Sequence, residues 1–192
     1  MTSLEFANKI TAKFGDNISE PVEFRGEVTI MLTDSKAIAT VCRFAKEKLH
    51  FIMLLDICSI DNYGSDPRWT VVYELYNMKS KAHLRIKTDV GEEKSELPTV
   101  SNVWATADWH EREIYDMMGI KFKGHPDLRR ILMWDGYPYH PLRKDFPLAG
   151  KATDVAEVAF TETVPLEGGP FVTVASSGGS MAREPRSRNP ED

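Results

Sequence analysis

A chain of 192 residues, 42% apolar and 28% charged, is long enough to bury a real core within one ordinary domain and leave some length over. Its net charge of −5 argues against nucleic acid as the principal partner, because phosphate binding relies on concentrated Lys and Arg. Cys42 and Cys58 are the only cysteines, too far apart for a CxxC unit and too few for an iron–sulfur cluster, which normally takes four thiolates. Each sits in an apolar stretch and reads as a small core residue of a reducing compartment.

The first six residues lack the basic-then-apolar layout of a signal peptide, and the densest apolar run, residues 51–55, falls far short of a membrane span. Any link to a membrane is therefore expected to run through partners.

Phe6, Ile10 and Phe14 recur at i, i+4, i+8 and predict a short amphipathic helix closed by Gly15. Residues 22–32 read as a strand bent at Gly26, with Val28, Ile30 and Leu32 alternating. Thr33 or Asp34 then caps a helix whose apolar stripe is Ile38, Val41, Cys42, Ala45 and Leu49. Residues 51–60 predict a strand covered on both faces.

Residues 61–67 are a turn by composition. Trp69, Val71, Tyr73 and Leu75 line one face of the next strand, and Leu84 and Ile86 belong to another, reached through a turn at residues 77–80. Residues 89–98 read as a polar connection. The expected fold is α+β: a two-layer domain with a mostly antiparallel sheet and helices on one face, followed by an extended C-terminal tail.

From residue 99 to 118 the pattern is helical, with Val100, Val103, Trp104, Ala107, Ile114 and Met118 on one stripe and Gly119 as the stop. Glu111 projects into the middle of that stripe, where a carboxylate must be paired; a break near Ala105 would shift the phase. Beyond Gly119, residues 121–150 hold six basic side chains against Asp127, Asp135 and Asp145, and four prolines that exclude a long helix. Residues 151–192 are poor in large apolar side chains, and the last stretch is expected to be disordered in isolation. The expected organisation is thus a domain over 1–120, a signature loop over 121–150 and a tail over 151–192.

Motifs with a known mechanism are mostly absent. His110-Glu111-Arg112-Glu113-Ile114 begins like a zinc-protease helix, but Ile stands where the second histidine would close on the metal. Residues 119–124 have phosphate-loop spacing but lead into His125 and Pro126 rather than Lys and Ser/Thr. No GxGxxG or GxSxG occurs. His125, His140, Asp127 and Asp135 could assemble an acid–base or metal site; the plainer reading of a loop rich in Pro, Arg and His is a docking surface.

The runs EREIYDMMGI (111–120), GHPDLRRIL (124–132) and PLRKDFPL (141–148), within residues 109–132 and 140–150, together resemble the signature of the C subunit, or 30 kDa-type subunit, of the proton-pumping NADH–quinone oxidoreductase known as respiratory complex I. Residues 51–86 are similar to the same family less specifically, and Asp108 stands before Trp109 where the family commonly has Asn. The resemblance implies a cofactor-free subunit, with FMN, iron–sulfur clusters and quinone held by partner subunits. It implies as neighbours the subunits that form the quinone site and hold the terminal cluster, at the cytoplasmic face of the bacterial inner membrane. A related module in a ferredoxin-, formate- or hydrogen-linked complex is the first alternative, and a stand-alone enzyme using His125 and Asp127 the second.

Within the signature, Glu111, Arg112, Glu113, Asp116, Gly119, His125, Pro126, Asp127, Arg129, Arg130, Pro141, Leu142, Arg143, Lys144, Asp145 and Phe146 are the expected structural and interface residues. Carboxylates and guanidiniums form strong paired hydrogen bonds, so Arg129, Arg130 or Arg143 are natural partners for Glu111, Glu113 or Asp116. The other reading leaves these charges apart on a solvated surface.

Overall fold

The computed structural model describes residues 1–151. The expectations for the tail beyond Lys151 lie outside these residues. The chain divides into two compact units, Met1–Asp135 and Gly136–Asp192.

In the first unit, helix α1 (Ser3–Phe14) starts at a capping box: Thr2 Oγ1 accepts the Glu5 N–H at 3.3 Å, and Glu5 Oε2 accepts the Thr2 N–H at 2.9 Å. Gly15 does end it, yet with a right-handed φ of −39°, because the chain continues into a 3₁₀ turn over Gly15–Asn17. Residues 22–32 form two strands rather than one bent strand. β1 (Val22–Phe24) and β2 (Glu27–Leu32) pair antiparallel across Arg25 and Gly26. Both turn residues have positive φ, 54° and 81°, as a two-residue hairpin loop requires.

A 3₁₀ turn capped by Asp34 leads into α2 (Ile38–Leu49), which buries all five stripe residues. β3 (Met53–Asp61), β4 (Trp69–Asn77) and β5 (Ala82–Val90) form the antiparallel meander. β2 joins β5 in parallel, giving the order β1-β2-β5-β4-β3. The fold is α+β with a mostly antiparallel, mixed sheet. Val28, Ile30 and Leu32, then Leu84 and Ile86, then Trp69, Val71, Tyr73 and Leu75 are all buried in one core with the apolar sides of α1 and α2.

β3 departs from expectation. It is an edge strand that buries Leu54 and Ile57 but exposes Met53, Leu55, Cys58 and Ile60. Residues 89–98 are not merely a connection either: β5 runs on to Val90, and β6 (Glu96–Pro98) pairs in parallel with β7 (Lys121–Lys123), burying Leu97 and Phe122.

The third helix, α3 (Ala107–Met118), starts eight residues later than the apolar pattern suggests. Residues 99–106 form hydrogen-bonded turns that keep Val100, Val103 and Trp104 buried, and Trp104 Nε1 donates to the Phe51 carbonyl at 3.2 Å. Gly119 stops the helix as expected: at φ 82° it takes the left-handed position that favours glycine, and its N–H donates to the Tyr115 carbonyl at 3.0 Å. α3 packs against β3 and β7. Among the described residues no helix is long and apolar enough to cross a membrane.

Candidate functional site

α3 carries its chemistry on distinct faces. On the face turned to the core, Glu111 is completely buried. Its Oε2 accepts the Thr99 hydroxyl at 2.5 Å and its Oε1 accepts the Val100 N–H at 2.7 Å. Burial pushes this carboxyl up to about pH 7; the two donors and the nearby Asp108 carboxylate act in opposite senses on it. Among the described residues no arginine pairs with Glu111. Segment 99–100 supplies the partners of Glu111, while Arg129 pairs with Asp127 and Arg130 with Asp116, so a hydroxyl and a backbone amide stand where an arginine was expected.

The enclosed His125 side chain lies next to this carboxyl. Its Nε2 is 3.2 Å from the Asp108 carbonyl, 3.7 Å from Asp108 Oδ1 and 3.9 Å from Glu111 Oε2. Its Nδ1 accepts the Asp127 N–H at 3.1 Å. The Asp127 carboxylate instead pairs with Arg129 at 2.9 Å on the surface. His125 and Asp127 therefore meet through a backbone amide, not as an acid–base dyad.

A second face grips the loop. The Arg112 guanidinium donates from Nε to the Arg129 carbonyl at 3.2 Å and from Nη2 to the Arg130 carbonyl at 3.1 Å, and it lies 5.3 Å from the Trp109 ring. One turn on, Asp116 Oδ2 accepts the N–H groups of Ile131, Leu132 and Met133 at 3.0, 2.7 and 2.8 Å. Asp116 Oδ1 pairs with Arg130 Nη1 at 2.5 Å, so the expected carboxylate–arginine lock exists at this position. Burial opposes the Asp116 charge, but the Met133 and Leu132 amides, Arg130 and the Ile131 amide outweigh it and hold the carboxyl below its usual range.

The grip leaves Trp109 and Leu132 each 62% exposed, while Glu113 is exposed and outside it. Pro126 is exposed beside His125. The Val100 amide and the three amides of 131–133 were not foreseeable as partners: backbone donors carry no sequence signature.

Pro141, Leu142, Arg143, Lys144, Asp145 and Phe146 belong to the second unit. There the Phe146 N–H donates to the Arg143 carbonyl at 3.0 Å, Tyr139 packs on Phe146 at 5.9 Å, and Leu142, Lys144 and Asp145 are exposed. Among the described residues no group of three or more His, Cys, Asp or Glu converges as a metal site.

Fold and site together define an α+β module whose third helix holds a loop through buried hydrogen bonds and leaves apolar side chains exposed beside it. Residues 31–152 match the family described as the respiratory-chain NADH dehydrogenase 30 Kd subunit, and the chain belongs to that family. It is 50% identical over 142 residues to the NADH-quinone oxidoreductase C subunit of Geotalea uraniireducens (strain Rf4), covering 74% of this chain and 86% of the relative. The corresponding C subunit of Geobacter sulfurreducens is 47% identical over 143 residues, covering 74% and 88%. The trypsin-resistant fragment (1-134) of Nqo5 superposes with a TM-score of 0.51 at 31% identity, over 66% of this chain and all of the fragment. An archaeal membrane-bound sulfane sulfur reductase shares the fold, with a TM-score of 0.65 at 24% identity, over 75% of this chain and 85% of that one.

Proposed function

We propose that this chain is a non-catalytic assembly subunit of a proton-translocating NADH–quinone oxidoreductase, peripheral to the membrane on its cytoplasmic face. The complex passes electrons from NADH through FMN and iron–sulfur clusters to quinone. In this reading those groups sit in partner subunits, and this chain docks chiefly on the subunits that form the quinone site and hold the terminal cluster.

The observation that carries the reading is the overlap of two things. The family match runs through residues 31–152, and within it lies the α3 grip that fixes residues 129–133 from two side chains one turn apart. A loop fixed in advance loses less entropy when a partner binds. Exposed apolar side chains at Trp109, Leu132 and along β3 supply contact area.

The test is copurification of the tagged chain from its own membranes with identification of its partners. NADH-oxidising, cluster-bearing and quinone-site subunits are expected, and recovery of the chain alone or with unrelated proteins overturns the proposal. The fold shared with the sulfane sulfur reductase keeps a second reading open, the same module under a different electron-input unit. Ferredoxin-, formate- or hydrogen-oxidising partners in that preparation would establish it.

A further inference from the structure

Scaffolding accounts for Arg112 and Asp116 but leaves Glu111 unexplained. A fully buried carboxyl held by a hydroxyl and an amide, rather than by a cation, is a costly way to hold a helix, since burying an apolar side chain there would serve. We propose that Glu111 is a proton-binding site, a carboxyl that exchanges one proton with water through the Thr99 and Ser101 hydroxyls.

The geometry satisfies both protonation states without moving a heavy atom. Thr99 Oγ1 stands 2.5 Å from Glu111 Oε2 and 2.8 Å from Ser101 Oγ, and it accepts the Ser101 N–H at 3.1 Å. A threonine hydroxyl has one proton to donate and two lone pairs to accept with. With Glu111 ionised, the Thr99 proton points to Oε2, and the Val100 N–H donates to Oε1. With Glu111 protonated, the carboxylic O–H donates to Thr99 Oγ1, whose own proton turns to Ser101 Oγ. The lone pairs of Thr99 are then filled by the Ser101 amide and the Glu111 proton.

Release runs outward along the same oxygens. Glu111 gives its proton to Thr99, Thr99 gives its original proton to Ser101, and Ser101 gives its own to water. Both hydroxyls are regenerated, and the net change is Glu–COOH plus H₂O to Glu–COO⁻ plus H₃O⁺. Ser101 is half-buried and stands at the boundary with solvent.

The surroundings set the balance near neutrality. On α3 itself the Asp108 carboxylate favours the protonated form. From the loop after β7, His125 brings its Nε2 to 3.9 Å from Oε2. From α2 and β4 come the Cys42 thiol and the Tyr73 hydroxyl, both pushed up by burial and by the Glu111 charge, and so uncharged at neutral pH. The segment between β6 and α3 contributes the Thr99 hydroxyl and the Val100 amide. Burial against those two donors leaves the carboxyl poised at about 7.

The test is infrared titration of the full chain with ¹³C-labelled glutamate. One protonated-carboxyl band should disappear near pH 7 and be missing in Glu111→Gln. Thr99→Val removes a donor that favours the ionised form, so the band's midpoint should rise by about one to two pH units. Ser101→Ala removes the acceptor that the Thr99 proton uses when Glu111 is protonated, so the midpoint should fall, and deuterium exchange of the carboxyl should slow by about tenfold or more. If Glu111→Gln fails to fold, the Thr99→Val shift identifies the band. A Glu111 already ionised at about pH 5, or still protonated at about pH 9, overturns the site. Unchanged exchange in Ser101→Ala overturns the relay. A Glu111 that only holds structure would exchange its proton at the same rate in Ser101→Ala as in the unmodified chain.

Discussion

Asp116→Asn should release the loop from α3. The substitution keeps the side-chain volume but removes the charge, and it turns an NH₂ towards donors. Asp116 accepts three consecutive backbone N–H groups at 2.7–3.0 Å and pairs with Arg130 at 2.5 Å, all from a fully buried position. Breaking one partner of a buried charged pair costs about 3–5 kcal/mol, against a domain stability of about 5–15 kcal/mol. At about 2–4 °C per kcal/mol for a chain of this size, the melting temperature should fall by about 6–20 °C. Amide hydrogen exchange gives the local reading: protection at Ile131, Leu132 and Met133 should collapse in the variant, while the β4 amides follow global stability. Adding Arg130→Met should cost less than the sum of the single changes, because the pair is already broken. Glu113→Gln, at an exposed position, serves as the control and should stay within about 0.5 kcal/mol. An Asp116→Asn chain that melts normally with its 131–133 amides still protected would refute the grip.

Because the Glu111 carboxyl is raised from 4.5 to about 7, the folded chain holds a proton there that the unfolded chain has released. Its contribution is present below about pH 4.5 and lost as pH rises to about 7, amounting to roughly 3 kcal/mol; urea unfolding across that window should show the decline in the unmodified chain and a flatter profile in Glu111→Gln. Arg112→Lys keeps the charge but loses the forked donation to the Arg129 and Arg130 carbonyls, and thermal melts should show a loss of about 1–3 kcal/mol. Leu132→Ser should change the stability of the chain by less than about 0.5 kcal/mol, since its side chain is 62% exposed, yet lower its copurification yield from membranes if the proposed docking surface is correct.

Side chains that face the core through their own periodicity were legible in the sequence. Trp69, Val71, Tyr73 and Leu75 alternate as a buried strand face must, and Ile38, Val41, Cys42, Ala45 and Leu49 repeat as a helix stripe must. Glu111 was legible as a buried carboxylate for the same reason. Its partners were not, because a backbone amide at Val100 leaves no mark on residue type. The hairpin at Arg25 was hidden by a residue that seldom takes positive φ. β3 misled for a different reason: an apolar run reads the same whether its second face is covered by its own chain or left exposed. The short pairing of β6 with β7 joins segments 25 positions apart with three residues each, too little for periodicity to register.

The order of residues in the signature follows from the angles on one helix. At about 100° per residue, Ala107, Glu111, Ile114 and Met118 fall on the core side, and Trp109, Arg112 and Asp116 on the side that meets the loop. Arg112 and Asp116 are four apart, so they stack along the axis and seize successive peptide groups, carbonyls at 129–130 and amides at 131–133. A cation that takes carbonyls followed by an anion that takes amides fixes the direction of the strand of chain it holds. Exchanging the two would set each against groups of its own polarity. A slip of one residue would carry Glu111 out of the core and bring Glu113 nearer the loop. Fixing one residue's backbone costs about 1–2 kcal/mol, so the five residues at 129–133 would otherwise oppose docking by several kcal/mol. In the proposed docking role, folding has already met that cost before any partner arrives, which is the physical advantage of building such a loop onto a buried helix rather than leaving it free.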